Sequence, residues 1–265
     1  MLRVAAPDGT PIAVHDTGDP TAPPILLIHG SLGDHRRFAP LVPHLAPHFC
    51  VYAMDRRGRG GSGDAADHSL DREVDDVVAV VAALAERHGT PVAAFGHSFG
   101  ALVLLEAARH TRHLARMVLY EPVVDAAGGA FATEAERLLR DDRRDEVVEL
   151  FLRSVVGLPA KTVETMKRDG AWSDRLSLAH TLPREDRVET AYRFDPATFA
   201  DVGVPTLMLL GSDTPAPFPD STARVAAALP DVQVARLDGQ AHLAIQTAPA
   251  AVAAYLVPFL RGDGD

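Results

Sequence analysis

The chain has 265 residues, 47% of them hydrophobic and 23% charged, which is enough for one large domain or for a core domain carrying an insertion. Acidic side chains outnumber basic ones 36 to 26, for a net charge of -10, and this argues against nucleic-acid or anionic-membrane partners, whose phosphates are held by clustered Lys and Arg. A single cysteine, Cys50, excludes an intrachain disulfide framework; with no long apolar run and no leader-like start, the expectation is a cytoplasmic protein, monomer or homodimer, with a small-molecule substrate.

In chain order, "LRVAAPDGTPIAVHDTG" reads as two short strands joined around Asp8-Gly9. "PPILLIHG" is a short continuous apolar run ending at glycine, the pattern of a strand buried on both faces. "FCVYAMD", "VAAFGHS", "ARMVLYEP", "PTLMLLGSD" and "VQVARLDG" repeat that pattern. Between the second and third of these buried strands, Leu70, Val74, Val77, Val78, Val81, Leu84 and Ala85 follow the three-and-four spacing of one buried helix face, with Ser69 as N-cap and Gly89 as stop. The alternation predicts an α/β fold, a mostly parallel sheet of about eight strands flanked by helices. Residues 123–200 mix charged and apolar residues without a strand-like run, which predicts a helical cap, or lid, inserted into a core formed by 1–122 and 201–265. Ligands of parallel sheets bind at the carboxyl ends of the strands, so an insertion leaving the "MVLYEP" strand is expected to cover that edge.

"AAFGHSFGALVLL" places Ser98 between Gly96 and Gly100, at the point where a buried strand turns into a helix. Glycines on both sides relieve the crowding of such a turn, and the helix behind it aims its N-terminal N–H groups at the serine. In this context "GHSFG" resembles the nucleophile elbow of the α/β-hydrolase superfamily. The resemblance implies a serine nucleophile followed in chain order by an acid and a histidine at other strand ends. Asp213, closing "PTLMLLGSD", and His242, in "QAHLAIQTAP" after the last strand, stand in those places. Glu121, closing "MVLYEP", is the alternative acid, because some members of the superfamily carry theirs after that strand; Asp238 reads as a solvated turn residue. The resemblance also implies two oxyanion donors, the Phe99 N–H and, from "HGSLGDH", the Ser31 N–H with Leu32 as substitute, while His29 and His97 orient or pack.

"GRGGSG" (58–63) satisfies a dinucleotide-loop pattern, but no helix begins within it and Arg56, Arg57 and Arg59 crowd it; it instead resembles the loop after the corresponding superfamily strand. His44 and His48 are separated by Pro47, which disfavours a helix presenting both to a metal. No metal and no cofactor are expected. Trp172, His180, Phe151 and Phe218, with Leu32, are candidate pocket residues, as are Phe131, Met166 and Phe38; core packing is the plain alternative for each. The combined reading is a serine hydrolase (esterase or lactonase) that cleaves a small to medium apolar carboxylic ester or lactone through an acyl-enzyme. The same residues could serve carbon–carbon hydrolysis, perhydrolysis or a lyase or cyclase step in a biosynthetic pathway. A ligand-binding receptor with a vestigial triad would differ in binding without turnover.

Overall fold

A computed structural model describes residues 1–126 and 128–262. Eight strands form one sheet: β1 (Leu2–Ala5), β2 (Pro11–Thr17), β3 (Pro24–Ile28), β4 (Cys50–Met54), β5 (Val92–His97), β6 (Leu114–Tyr120), β7 (Thr206–Gly211) and β8 (Val232–Leu237), in the order β1-β2-β4-β3-β5-β6-β7-β8. β1 pairs with β2 and β2 with β4 antiparallel, and the remaining neighbours are parallel. The central strands β3, β4 and β5 are buried at every residue, as continuous apolar runs without alternation require when both faces are covered. Because β3 to β8 run the same way, the loops after Ile28, Met54, His97, Tyr120, Gly211 and Leu237 all leave from one edge of the sheet.

The helix Leu70–His88 starts where Ser69 Oγ accepts the Arg72 N–H and stops at Gly89, which is left-handed at φ 65°. Its buried face carries Val74, Val77, Val80, Val81 and Leu84, but also Glu73 and Asp76. Those acids meet the arginines that follow β4. Arg56 donates to both oxygens of Glu73 at 3.0 and 2.9 Å, and Arg57 donates to both oxygens of Asp76 at 2.7 Å and to Asp8 at 3.0 Å. Burial alone would raise the Glu73 pKa, yet the Arg56 charge and the His68 and Arg56 hydrogen bonds hold it well below the carboxylate range. The basic cluster of the sequence is therefore an internal fastener between the β4 loop and this helix. Its partners neutralise it, and it offers no surface to anions.

Contacts divide the chain into two compact units, residues 1–30, 34–124 and 194–262 in one and 31–33 and 125–193 in the other. The expected joints at 122/123 and 200/201 move inward for local reasons: Val124 N–H donates to Ser221 Oγ, and Phe194 stacks on Phe199 at 5.1 Å, so both ends stay with the sheet unit. Residues 263–265 of the expected core segment lie outside the described residues. The second unit consists, among its described residues, of helices and loops, including Ala130–Arg140, Arg144–Leu150, Ala160–Lys167, Trp172–Leu178 and Leu182–Ala191. They close on an apolar cluster of Phe131, Leu138, Val147, Phe151, Trp172 and Leu182, which also contains Leu32.

Candidate active site

Ser98 occupies the turn between β5 and the helix Phe99–Ala107 with φ 56° and ψ −125°, a conformation that costs a non-glycine residue energy and persists only where its surroundings impose it. The surroundings are visible. A Cβ on Gly96 would lie 2.7 Å from Ala101 Cα, one on Gly100 would lie 2.4 Å from the His29 carbonyl, and one on Gly30 would lie 2.8 Å from Ser98 Cβ. The glycines thus let the new helix seat directly against the end of β3, and Ser98 N–H is tied across to Tyr120 O at 2.9 Å. Phe99, the first residue of that helix, carries one of the N–H groups that an α-helix leaves without an internal partner. Ser31 and Leu32, named for the second donor, group with the helical unit, where Leu32 takes φ 54° and buries its side chain.

Glu121, the residue immediately after β6, is fully buried and has φ 51°. Its Oε2 accepts from His242 Nδ1 at 2.6 Å, while its Oε1 accepts from the Gly211 N–H at 2.8 Å and from Thr214 Oγ1 at 2.6 Å. His242 is held on further sides: His97 Nε2 donates to its carbonyl at 2.9 Å, the His97 ring lies 4.5 Å from its own, and Phe218 stacks on it at 4.3 Å. Tyr120 donates its hydroxyl to the preceding carbonyl, that of Ala241. Burial, and then the neighbouring charge of Glu121, push the Tyr120 phenol up, so it stays a donor. With Nε2–H committed, His97 is left with a bare, buried Nδ1, and burial holds it well below the ordinary histidine range. Among the described residues Ser98 Oγ makes no hydrogen bond, to the His242 ring or elsewhere; contacts of this kind often close only with substrate in place.

Of the two candidate acids, Glu121 is the one in contact with the His242 ring. Asp213 is exposed, and its carboxylate accepts from Ser212 Oγ at 2.9 Å. The turn at the end of β7 points Gly211 N–H and Thr214 Oγ1 inward and leaves Asp213 exposed, so this strand end holds the Glu121 carboxylate. Three candidate pocket residues lie in the helical unit. Trp172 and Phe151 pack inside the helical unit, Trp172 Nε1 donating to Asp145 Oδ1 at 2.8 Å, and His180 is exposed with Nδ1 on Ser177 O at 3.0 Å. Phe218 lies on the His242 imidazole. His29 is a structural histidine: Nδ1–H donates to Gly30 O at 2.8 Å, Nε2 accepts from Arg56 N–H at 3.2 Å, and burial followed by the Arg56 and Arg59 charges brings its pKa to about 3.

Two further groups bear on cofactors. In the "GRGGSG" loop, Gly61 N–H donates to Asp55 Oδ2 at 2.8 Å and a Cβ on Gly60 would lie 2.2 Å from the same oxygen, so the loop is folded onto its own carboxylate and leaves no cradle for a diphosphate. Sequence reading missed that His15 Nε2 and His35 Nδ1 join Asp55 at 3.0 and 2.7 Å, the three ligand-type atoms lying within 4.8 Å of one another. The two rings are 11° from parallel with centroids 3.5 Å apart. Their in-plane lone pairs therefore run side by side instead of converging on one ion, and the trio reads as two stacked donors on a buried carboxylate.

The sequence model of the alpha/beta hydrolase family matches residues 25–255. This chain belongs to that family. An alpha/beta hydrolase from Sphaerobacter thermophilus DSM 20745 superposes with a TM-score of 0.85 at 33% identity, covering 97% of this chain and 99% of that one. The Bacillus subtilis protein named uncharacterized hydrolase YraK is 30% identical over 56% of each chain. The Mycobacterium tuberculosis lipase LipV is 32% identical over 57% of this chain and 51% of its own, so the matched stretch spans about half of each of these two relatives. The alpha/beta hydrolase assignment fits the sheet order, the strained serine and the histidine–carboxylate pair. No described helix is long and apolar enough to cross a membrane.

Proposed function

We propose that this hydrolase cleaves a small to medium apolar carboxylic ester or lactone through an acyl-enzyme, with Ser98 as nucleophile, His242 as general base and Glu121 as the acid. The observation that carries the reading is the 2.6 Å contact between His242 Nδ1 and buried Glu121. Glu121 accepting at Nδ1–H leaves Nε2 as the basic nitrogen. Nε2 takes the Ser98 proton as Oγ attacks the acyl carbon, and the carbonyl oxygen, now an anion, receives the Phe99 N–H. Collapse expels the alkoxide, which takes the proton from His242; water then repeats the sequence and frees the acid. The lipase among the relatives supports ester chemistry. Steady-state hydrolysis of short nitrophenyl esters tests the proposal. Turnover by the wild type, lost in both Ser98→Ala and His242→Ala, is the expected result; unchanged turnover in either variant would overturn it.

A further inference from the structure

The loop after β7 ends in a two-donor clamp that nothing in the proposed chemistry yet uses. Thr214 is buried, its Oγ1 lies 2.6 Å from Glu121 Oε1, and the Gly211 N–H lies 2.8 Å from the same oxygen. A Cβ on Gly211 would stand 2.7 Å from Thr214 Oγ1 and 2.3 Å from Gln240 O, so glycine is what permits this approach. The opposite oxygen, Oε2, faces only His242 Nδ1 in the described contacts. We propose that Thr214 is a positioning residue: its hydroxyl donates to Oε1 and, with Gly211, fixes the Glu121 carboxylate in the one rotation that directs Oε2 at the His242 Nδ1–H. The inference rests on the Ser98–His242–Glu121 reading and adds a fourth side chain to it.

The physical argument concerns charge and rotation together. A buried carboxylate needs its lone pairs filled, and O–H···O⁻ bonds near 2.6 Å are among the strong ones. As His242 becomes an imidazolium, the carboxylate must remain ionised and stay in place, and both demands are served by donors that are already oriented before reaction. Thr214 is two elements away from Ser98 in the sheet order and reaches the reaction only through Glu121 and His242, so its loss should lower kcat and leave KM almost unchanged.

The test compares Thr214→Val, which keeps the shape and removes the hydroxyl, with Thr214→Ala and Thr214→Ser. With p-nitrophenyl acetate, Thr214→Val and Thr214→Ala are expected to lose about ten- to a hundredfold in kcat at constant KM, the range for one hydrogen bond to a charged group, and Thr214→Ser to recover most of it. The low-field proton resonance of His242 Nδ1–H should persist in Thr214→Ser and broaden in the other two. If Thr214→Val does not fold, Thr214→Ala carries the same comparison. Wild-type kcat in Thr214→Val or Thr214→Ala, or no recovery in Thr214→Ser, overturns the assignment while Glu121→Gln is inactive. An active Glu121→Gln would instead overturn the underlying acid.

Discussion

Replacing Glu121 by Gln should abolish catalysis through the tautomer of His242 rather than through loss of shape. A glutamine amide has one accepting and one donating end, whereas Glu121 meets donors at both: Gly211 N–H and Thr214 Oγ1 on one oxygen and His242 Nδ1 on the other. The backbone N–H of Gly211 can only donate, so the amide oxygen must stay on that side, and the NH2 group then faces Nδ1. Nδ1 has to accept, the imidazole proton moves to Nε2, and the ring can no longer receive the Ser98 proton. A wrong-tautomer substitution of this kind costs about 10⁴ in kcat, or about 5.5 kcal/mol at the tenfold-per-1.36 kcal/mol conversion. The assay is kcat for a nitrophenyl ester in Glu121→Gln and in Asp213→Asn, with thermal unfolding to confirm that both fold. Asp213, exposed and bonded to Ser212, should change kcat by less than about twofold, as ordinary surface substitutions do. A Glu121→Gln enzyme retaining a tenth of wild-type activity, or a collapse in Asp213→Asn, would refute the reasoning.

Three other outcomes follow from the packing and the buried charges. His29 and His97 are neutral inside the fold but bind a proton in the unfolded chain below the ordinary histidine pKa of about 6.5, so stability is full above that pH and falls as the pH drops toward the folded value, about 3 for His29. Urea denaturation between pH 6.5 and 5 should show each contributing a loss whose slope approaches about 1.4 kcal/mol per pH unit, offset in part by Asp76, whose carboxyl burial raises to about 6; a stability that rises on acidification through this window would contradict the burial argument. Gly100→Ala places a Cβ 2.4 Å from the His29 carbonyl and should destabilise the fold by about 1–3 kcal/mol with reduced activity, seen as a lower denaturation midpoint. Glu73→Gln leaves the Arg56 charge buried beside a neutral group and should cost about 3–5 kcal/mol, whereas an unchanged midpoint would mean that the pair contributes nothing.

What could be read in advance divides along the line between local and non-local physics. The buried strands, the long helix and the Gly-x-Ser-x-Gly turn are specified by neighbours in sequence, and the sheet order and the left-handed Ser98 agree with that reading. The carboxylate that meets His242 was not legible in the same way. Glu121 and Asp213 both close parallel strands, and what separates them is a left-handed backbone at Glu121 together with a β7 turn that aims Gly211 and Thr214 inward, neither of which leaves a mark in composition. Arg56, Arg57 and Arg59 looked basic because their partners, Glu73 and Asp76, lie 17 and 19 residues further on, spaced three apart on an otherwise apolar helix face. An acid pair in that position on a valine-rich stripe is the signal that could have revealed the fastener. His15 and His35 gave none, since their stacking depends on β2 and the β3 loop meeting at Asp55.

The central claim is that Ser98 is the group that attacks. Intact-protein mass measurement after exposure to a fluorophosphonate examines it without any assumption about the natural substrate. One adduct per chain in the wild type, located on the peptide containing Ser98 and absent from folded Ser98→Ala, is the predicted result; equal labelling of Ser98→Ala, or a folded wild type that takes no label, would contradict the account.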